Sequence, residues 1–185
     1  MKRFAGLMIG FLVFQTKILC AQTAQPGIYL TYKDYLEHRL SYAGKADDIT
    51  FHEFFGESFI SVSSGGKKFH LAKNEVYGYR DKNEDYRFFN NRSYRILDTI
   101  GFYLYSRDKI AASGKKIVQT KFFSTSGNTA IFPLTLSHVN AAFAQSHHFK
   151  YMVDAQFKSD AELIEFDTIE KKYKIKEIYL DAVKE

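Results

Sequence analysis

The chain has 185 residues, with 26 Lys and Arg against 21 Asp and Glu, a formal net charge of +5 and 45% hydrophobic residues. One cysteine excludes a disulfide framework, and two prolines with no Gly/Ser/Pro-rich stretch exclude a flexible interdomain linker. What remains is one ordinary domain that must stand on its own apolar core.

The first residues read as an export signal. Lys2 and Arg3 form a positive start, Phe4 to Phe14 is an unbroken run of apolar residues and glycine, and Ala21 offers a small residue for cleavage. That run is too short to span a bilayer, which takes roughly 20 residues, and no later window replaces it. The sequence therefore predicts a signal peptide over 1–22, a single domain over 23–185, no transmembrane helix in the mature chain, and a periplasmic or secreted location. A lipoprotein anchored through Cys20 is the competing reading, but Lys17 and Leu19 stand where a branched aliphatic and a small residue are needed. Cleavage removes Cys20 and also Lys2, Arg3 and Lys17. That reduces 26 basic residues to 23 against 21 acidic, so the net charge falls from +5 to +2. A nearly balanced mature chain lacks the basic excess of a nucleic-acid binder, whose affinity comes chiefly from phosphate neutralisation.

After Pro26 and Gly27, Thr31 and Asp34 have the spacing of a capping box, which predicts a short helix over Tyr32 to Leu40. From about 51 to 125 the pattern is strand-like, with β-branched and aromatic runs between Gly, Asn, Asp and Lys clusters. Phe59 to Ser63 and Lys67 to Leu71 around Ser64-Gly65-Gly66 predict a hairpin. Further strands are expected at Val76–Arg80, Tyr86–Phe89, Ser93–Leu97, Phe102–Ser106 and Ile117–Ser124. Alternation places Phe102 and Leu104 on one face and Tyr103 and Tyr105 on the other. The Ser-Gly-Lys-Lys stretch 113–116 echoes 64–68, and shared turn chemistry explains both.

From 134 to 183 the period becomes helical. Phe143, Phe149, Phe157 and Leu163 are expected in the core, and Ser159 with Glu162 reads as a second capping box feeding a face of Leu163, Phe166, Ile169 and Tyr173. Ile175 to Val183 fits helix or strand. Strands followed by helices predict an α+β domain: an antiparallel meander of about six to eight strands, a short N-terminal helix, and two or three C-terminal helices packed on the sheet.

No motif carries chemistry by itself. His147 and His148 are adjacent, His138 lies nine residues before His147, and His52-Glu53 is followed by Gly56 where a zinc-protease helix places its second histidine, so no metal or other cofactor is expected. Ser63-Ser64-Gly65 is not a nucleophile elbow. The carboxylate pairs Asp47/Asp48, Glu84/Asp85 and Glu165/Asp167 read as solvated charge, although a small hydrolase using carboxylates or histidines is the rival reading. The most suggestive pattern is a triple Tyr-Arg repeat, Tyr79-Arg80, Tyr86-Arg87 and Tyr94-Arg95. Tyrosine and arginine give large contact at modest entropic cost, so these six are the candidate binding residues. The three arginines are expected exposed and together on one side of the sheet.

The stretches Gly27-Ile28-Tyr29 to Tyr35, Val76 through Gly78, Tyr79 and Arg80 to Tyr94, and Pro133-Leu134 through Phe157 to Tyr173 and Ile175 resemble small secreted proteins of Bacteroidetes-type bacteria. The resemblance implies export and no particular activity. The expected function is an exported, non-enzymatic binding or interaction module whose partner is an envelope protein or glycan. A structural or assembly component of the envelope is the third possibility.

Overall fold

The computed structural model describes residues 25–44, 48–51, 57–110 and 117–184. The segment 1–22 read as a signal peptide, with Lys17 and Cys20, and also Asp47, the His52–Gly56 stretch and the 113–116 echo lie outside the described residues. In chain order the elements are β1 (Gly27–Tyr29), α1 (Tyr32–Leu36), β2 (Asp48–Thr50), β3 (Phe59–Ser64), β4 (Lys67–Ala72), β5 (Gly78–Asp81), β6 (Glu84–Phe89), β7 (Arg92–Asp98), β8 (Tyr103–Ile110), β9 (Ile117–Ser124) and β10 (Phe132–Pro133). Then follow α2 (Leu136–Ala142), α3 (His147–Gln156), a 3-10 turn at Glu162–Ile164, β11 (Phe166–Asp167), β12 (Lys172–Tyr173) and α4 (Lys174–Ala182). The chain is an α+β domain, and Ile175 to Ala182 is helix.

The main sheet is antiparallel with seven strands in the order β1-β5-β6-β7-β8-β9-β10, and β2-β3-β4 make a second, three-stranded sheet. Two-residue turns with positive φ at both positions set the registers: Gly65-Gly66, Lys82-Asn83 and Asn90-Asn91. Such turns match the right-handed twist of the strands they join. Gly78 has a different reason to be glycine, since a Cβ there would lie 2.0 Å from the Tyr86 carbonyl oxygen.

Three buried clusters follow from the alternation of side chains along each strand. On one face, Phe102, Leu104 and Phe123 meet Phe143, Phe149, Phe157, Leu163 and Ile175 from the C-terminal helices, as the sequence predicts. Phe102 is the hub, with edge contacts to Phe123, Phe143 and Tyr179. On the same face, nearer β1, the apolar side of the small sheet lays Ile60 and Val62 against Ile28, Tyr79 and Phe88. The opposite face buries Tyr29, Tyr35, Tyr94, Tyr103, Tyr105 and Phe122. Phe102 and Leu104 thus separate from Tyr103 and Tyr105 as alternation requires.

Two helix expectations are corrected. The Thr31–Asp34 capping box forms, with Thr31 Oγ1 accepting from Asp34 N and Asp34 Oδ2 accepting from Thr31 N. The helix nevertheless ends at Leu36 and not Leu40, because His38 enters positive φ and Ser41 returns to bridge Ile28 in β1. Ser159 and Glu162 also make their hydrogen bond, but they head only a single 3-10 turn. Asp167 accepts from the backbone N–H groups of Ile169 and Glu170, which turns the chain into the β11–β12 hairpin. Phe166 and Ile169 are consequently exposed, while Leu163 joins the core and Tyr173 packs half-buried against it. Among the described residues no helix is long and apolar enough to cross a membrane.

Candidate functional site

The C-terminal helices and the small sheet pack on the two ends of one face of the main sheet, and between them lies a strip in which Tyr79 and Ser106 are buried and Tyr86, Arg95 and Lys121 are half-buried. One cross-strand row crosses this strip. Tyr79 pairs with Tyr86, Tyr86 with Arg95, Arg95 with Ser106, and Ser106 with Lys121. Residues paired across a ladder share a face, so these five side chains run in a line over β5 to β9. At one end Phe51 stacks on Tyr79 at 3.8 Å and Tyr79 on Tyr86 at 4.6 Å. At the other end Leu97, Leu104, Tyr105, Lys121, Leu134, Ile164 and Tyr173 line an apolar crevice too narrow to admit water. We call this strip the groove.

Its middle is polar. Arg95 donates from Nε to Ser106 Oγ at 3.1 Å and from Nη1 to Glu84 Oε1 at 2.6 Å, and Tyr86 donates its hydroxyl to Glu84 Oε2 at 2.8 Å. Burial raises the Glu84 carboxyl, but the hydrogen bonds from Tyr86 and Arg95 outweigh it and hold Glu84 below its ordinary value. Lys121 donates to the neutral Gln119 Oε1 at 2.6 Å and has no carboxylate in contact among the described residues. Burial first, and then the charge of Arg95, push its ammonium below the usual lysine value, with the charge of Asp108 opposing. Burial raises the Tyr173 hydroxyl, which is close enough to Arg95 to feel its opposing charge.

The six Tyr-Arg residues divide between the two faces. Tyr79, Tyr86 and Arg95 belong to the groove row. Arg80, Arg87 and Tyr94 lie on the opposite face, so the expectation of three exposed arginines side by side is corrected. The cause is register: seven residues separate Tyr79 from Tyr86 but eight separate Tyr86 from Tyr94, and with two-residue turns at both hairpins the extra residue reverses the third pair. Arg80 is clamped to Asp85 by two hydrogen bonds of 2.7 Å, and Tyr29 donates to the same carboxylate. Arg87 is 5% exposed and donates to Tyr105 Oη and the Thr129 carbonyl. Tyr94 is buried edge-on against Phe122. These three serve the fold.

The rival chemistry finds little assembly. Glu84 and Asp85 point to opposite faces, Glu165 is paired with Lys174, and Asp167 holds its turn. No three His, Cys, Asp or Glu among the described residues could hold a metal. One hollow, of about 220 Å³, lies on the outer side of the small sheet and is lined by Asp48, Thr50, Ser61, Ser63, Lys68 and His70. Ser61 Oγ stands 3.1 Å from His70 Nδ1, but no carboxylate among the described residues orients the other ring nitrogen.

Ser106, Lys121 and Tyr173 are the site residues that sequence reasoning missed, and Glu84, read there as solvated charge, is instead bound to Tyr86 and Arg95. A signal existed in parity, since Lys121 alternates with Phe123 and Ser106 with Leu104 on the core-facing side of their strands. A polar residue there marks where apolar packing on the sheet gives way to hydrogen bonding, as Ser106 is buried beneath Arg95. No family model, no curated protein and no solved structure matches this chain.

Proposed function

We propose that the protein is an exported, non-enzymatic binding module of the cell envelope and that the groove is its working face. The observation that carries this reading is the row Tyr86, Arg95 and Lys121, half-buried side chains that bring an aromatic ring and hydrogen-bond donors to the surface between the two lobes. Arg80 and Arg87 are spent inside the scaffold, whereas the Arg95 side chain stays 31% exposed and Lys121 has no carboxylate in contact among the described residues, which favours recognition over support. The apolar start of the chain and its resemblance to small secreted proteins support export. The balanced charge of the mature chain supports a partner other than nucleic acid.

Fractionation and N-terminal sequencing test the address, with a mature start expected between Ala21 and Gln25. A chain beginning at Cys20 with a diacylglycerol mass would establish the lipoprotein instead, and cytoplasmic protein that keeps Met1 would sink the export reading. Photo-crosslinkers placed at Tyr86 and Lys121 test the working face in cells. Adducts there, and none from a crosslinker at Arg107 on the other face, are expected; adducts from Arg107 alone would overturn the assignment.

A further inference from the structure

We infer that the small sheet has a docking edge of its own, strand β4, which takes an extended acidic peptide as a fourth strand. This surface is separate from the groove and does not depend on it.

The ladder shows which backbone groups are free. The two-residue turn at Gly65-Gly66 makes Ser64 and Lys67 a hydrogen-bonded pair, and bonded pairs then recur at every second position. The pattern continues past the strand ends, where Lys73 N donates to the Ser58 carbonyl at 2.8 Å. Lys67, Phe69 and Leu71 therefore spend their backbone groups on β3, and Lys68, His70 and Ala72 turn theirs away from it. Because β4 is an outer strand of its sheet, both groups of Lys68, both groups of His70 and the Ala72 N–H have no partner among the described residues. The Ala72 carbonyl accepts from Glu75 N, which ends the edge. The outer strands of the main sheet are closed by comparison: Ser41 exchanges two backbone bonds with Ile28 outside β1, and β10 is two residues long and carries Pro133. A run of outward N–H and C=O groups is what strand addition uses.

Charge selects the occupant. Lys67, Lys68 and His70 are exposed along β4, and neither lysine has an ion pair among the described residues. On the outer face of the small sheet the one described acid is Asp48, two strands away in β2. Pairing β4 with a second copy would gather like charges, which is how edge lysines keep such strands apart. An acidic strand turns the same charges into attraction. Alternation then sets its pattern. Lys68 and His70 point to the outer face, which is open beside them, since they border the hollow of about 220 Å³. Phe69 and Leu71 point to the inner face, where they are half-buried on the Ile60 and Val62 cluster. The peptide would carry acids at the positions beside Lys68 and His70 and apolar residues at those beside Phe69 and Leu71.

The test is titration of isotope-labelled protein, followed by NMR and by amide exchange, with two capped octapeptides, one alternating Glu with Val and one alternating Lys with Val. The Glu peptide should shift and protect the Lys68 and His70 amides and bind at least about tenfold more tightly than the Lys peptide, and that preference should shrink as salt rises. His70→Pro removes an outward N–H that the β3 ladder does not use and should abolish binding, whereas His70→Thr keeps that N–H and should bind. Lys68→Glu should reverse the preference between the two peptides; it breaks no ion pair among the described residues, so it carries the test if His70→Pro loosens the small sheet. Lys121→Met in the groove should change nothing. Equal affinity for the two peptides, shifts confined to the main sheet, or no binding at about 1 mM peptide would each overturn the inference. Self-association of the free protein that His70→Pro abolishes would assign the edge to a second copy instead.

Discussion

Arg87 stands opposite Tyr94 and Arg95 opposite Tyr86 on the same pair of strands, so two arginines of one motif point to opposite sides of one sheet. Arg87 is buried under a loop whose Thr129 carbonyl it holds at 2.7 Å, with its guanidinium 5.7 Å from the Tyr77 ring centre. Arg95 is partly solvated, its side chain 31% exposed, and bridges Glu84 to Ser106. The same residue type therefore performs two different tasks, and mutation separates them.

Arg87→Ala should cost about 3 kcal/mol, because it strips the Tyr105 hydroxyl and the Thr129 carbonyl of a charged donor inside the protein. Arg95→Ala should cost no more than about 1 kcal/mol, in the range of exposed ion pairs. Urea titrations of the two variants measure this directly. Equal losses would mean that the faces have been assigned wrongly.

Legibility in the sequence followed the range of the forces involved. Local signals were readable: the Thr31–Asp34 box, the alternation from Phe102 to Tyr105, the Gly65-Gly66 turn, and the helical spacing of Phe143, Phe149 and Phe157. The second capping box was also real, but a tertiary context that buried Leu163 and turned the chain at Asp167 prevented the helix from continuing. The groove was only half legible. Tyr79, Tyr86 and Arg95 lie within one continuous meander, whereas Ser106, Lys121 and Tyr173 join them through ladder register and docking of the C-terminal segment. Neither relation is written in any short stretch of sequence.

Phe157 and Ile169 test the corrected C-terminal segment as a pair. Phe157 is 3% exposed and Ile169 is 87% exposed. Phe157→Ala should cost about 3 to 5 kcal/mol, the range for a buried aromatic, and Ile169→Ala should stay within about 0.5 kcal/mol. Chemical denaturation of both variants decides, and a large loss at Ile169 would restore the continuous helical face expected from the spacing.

The Ser61–His70 pair should be catalytically silent. A serine nucleophile needs an oriented base and donors for the developing oxyanion. His70 is exposed, and no acid among the described residues holds it. A fluorophosphonate probe should leave Ser61 unlabelled, and Ser61→Ala should not alter hydrolysis of a simple activated ester. Labelling that is confined to Ser61 and lost in His70→Ala would revive the hydrolase.

The dependence of stability on alkaline pH should turn over, because two kinds of buried group pull in opposite directions. Lys176, on α4, donates to the Phe102 and Ile100 carbonyls beneath the helical lobe, and burial pushes its ammonium down to about 8, with Asp98 opposing. Between about pH 8 and the ordinary lysine value near 10.5 the unfolded chain holds a proton that the folded one has released, so this group makes stability rise with pH. The tyrosines act the other way. Burial lifts Tyr35 to about 12 and raises Tyr29, Tyr77, Tyr103 and Tyr105 as well. Unfolded tyrosines ionise near pH 10, so the stability these groups contribute is fully present below that point and is lost as pH climbs from about 10 through about 12. Urea titrations from neutral to about pH 12 should show a shallow rise and then a steep fall, with tyrosinate absorbance appearing together with unfolding. Lys176→Met should flatten the rise and leave the fall. Tyrosinate forming freely near pH 10 in protein that is still folded would show that the tyrosine face is open to solvent, and the assignment of that face as scaffold would then be wrong.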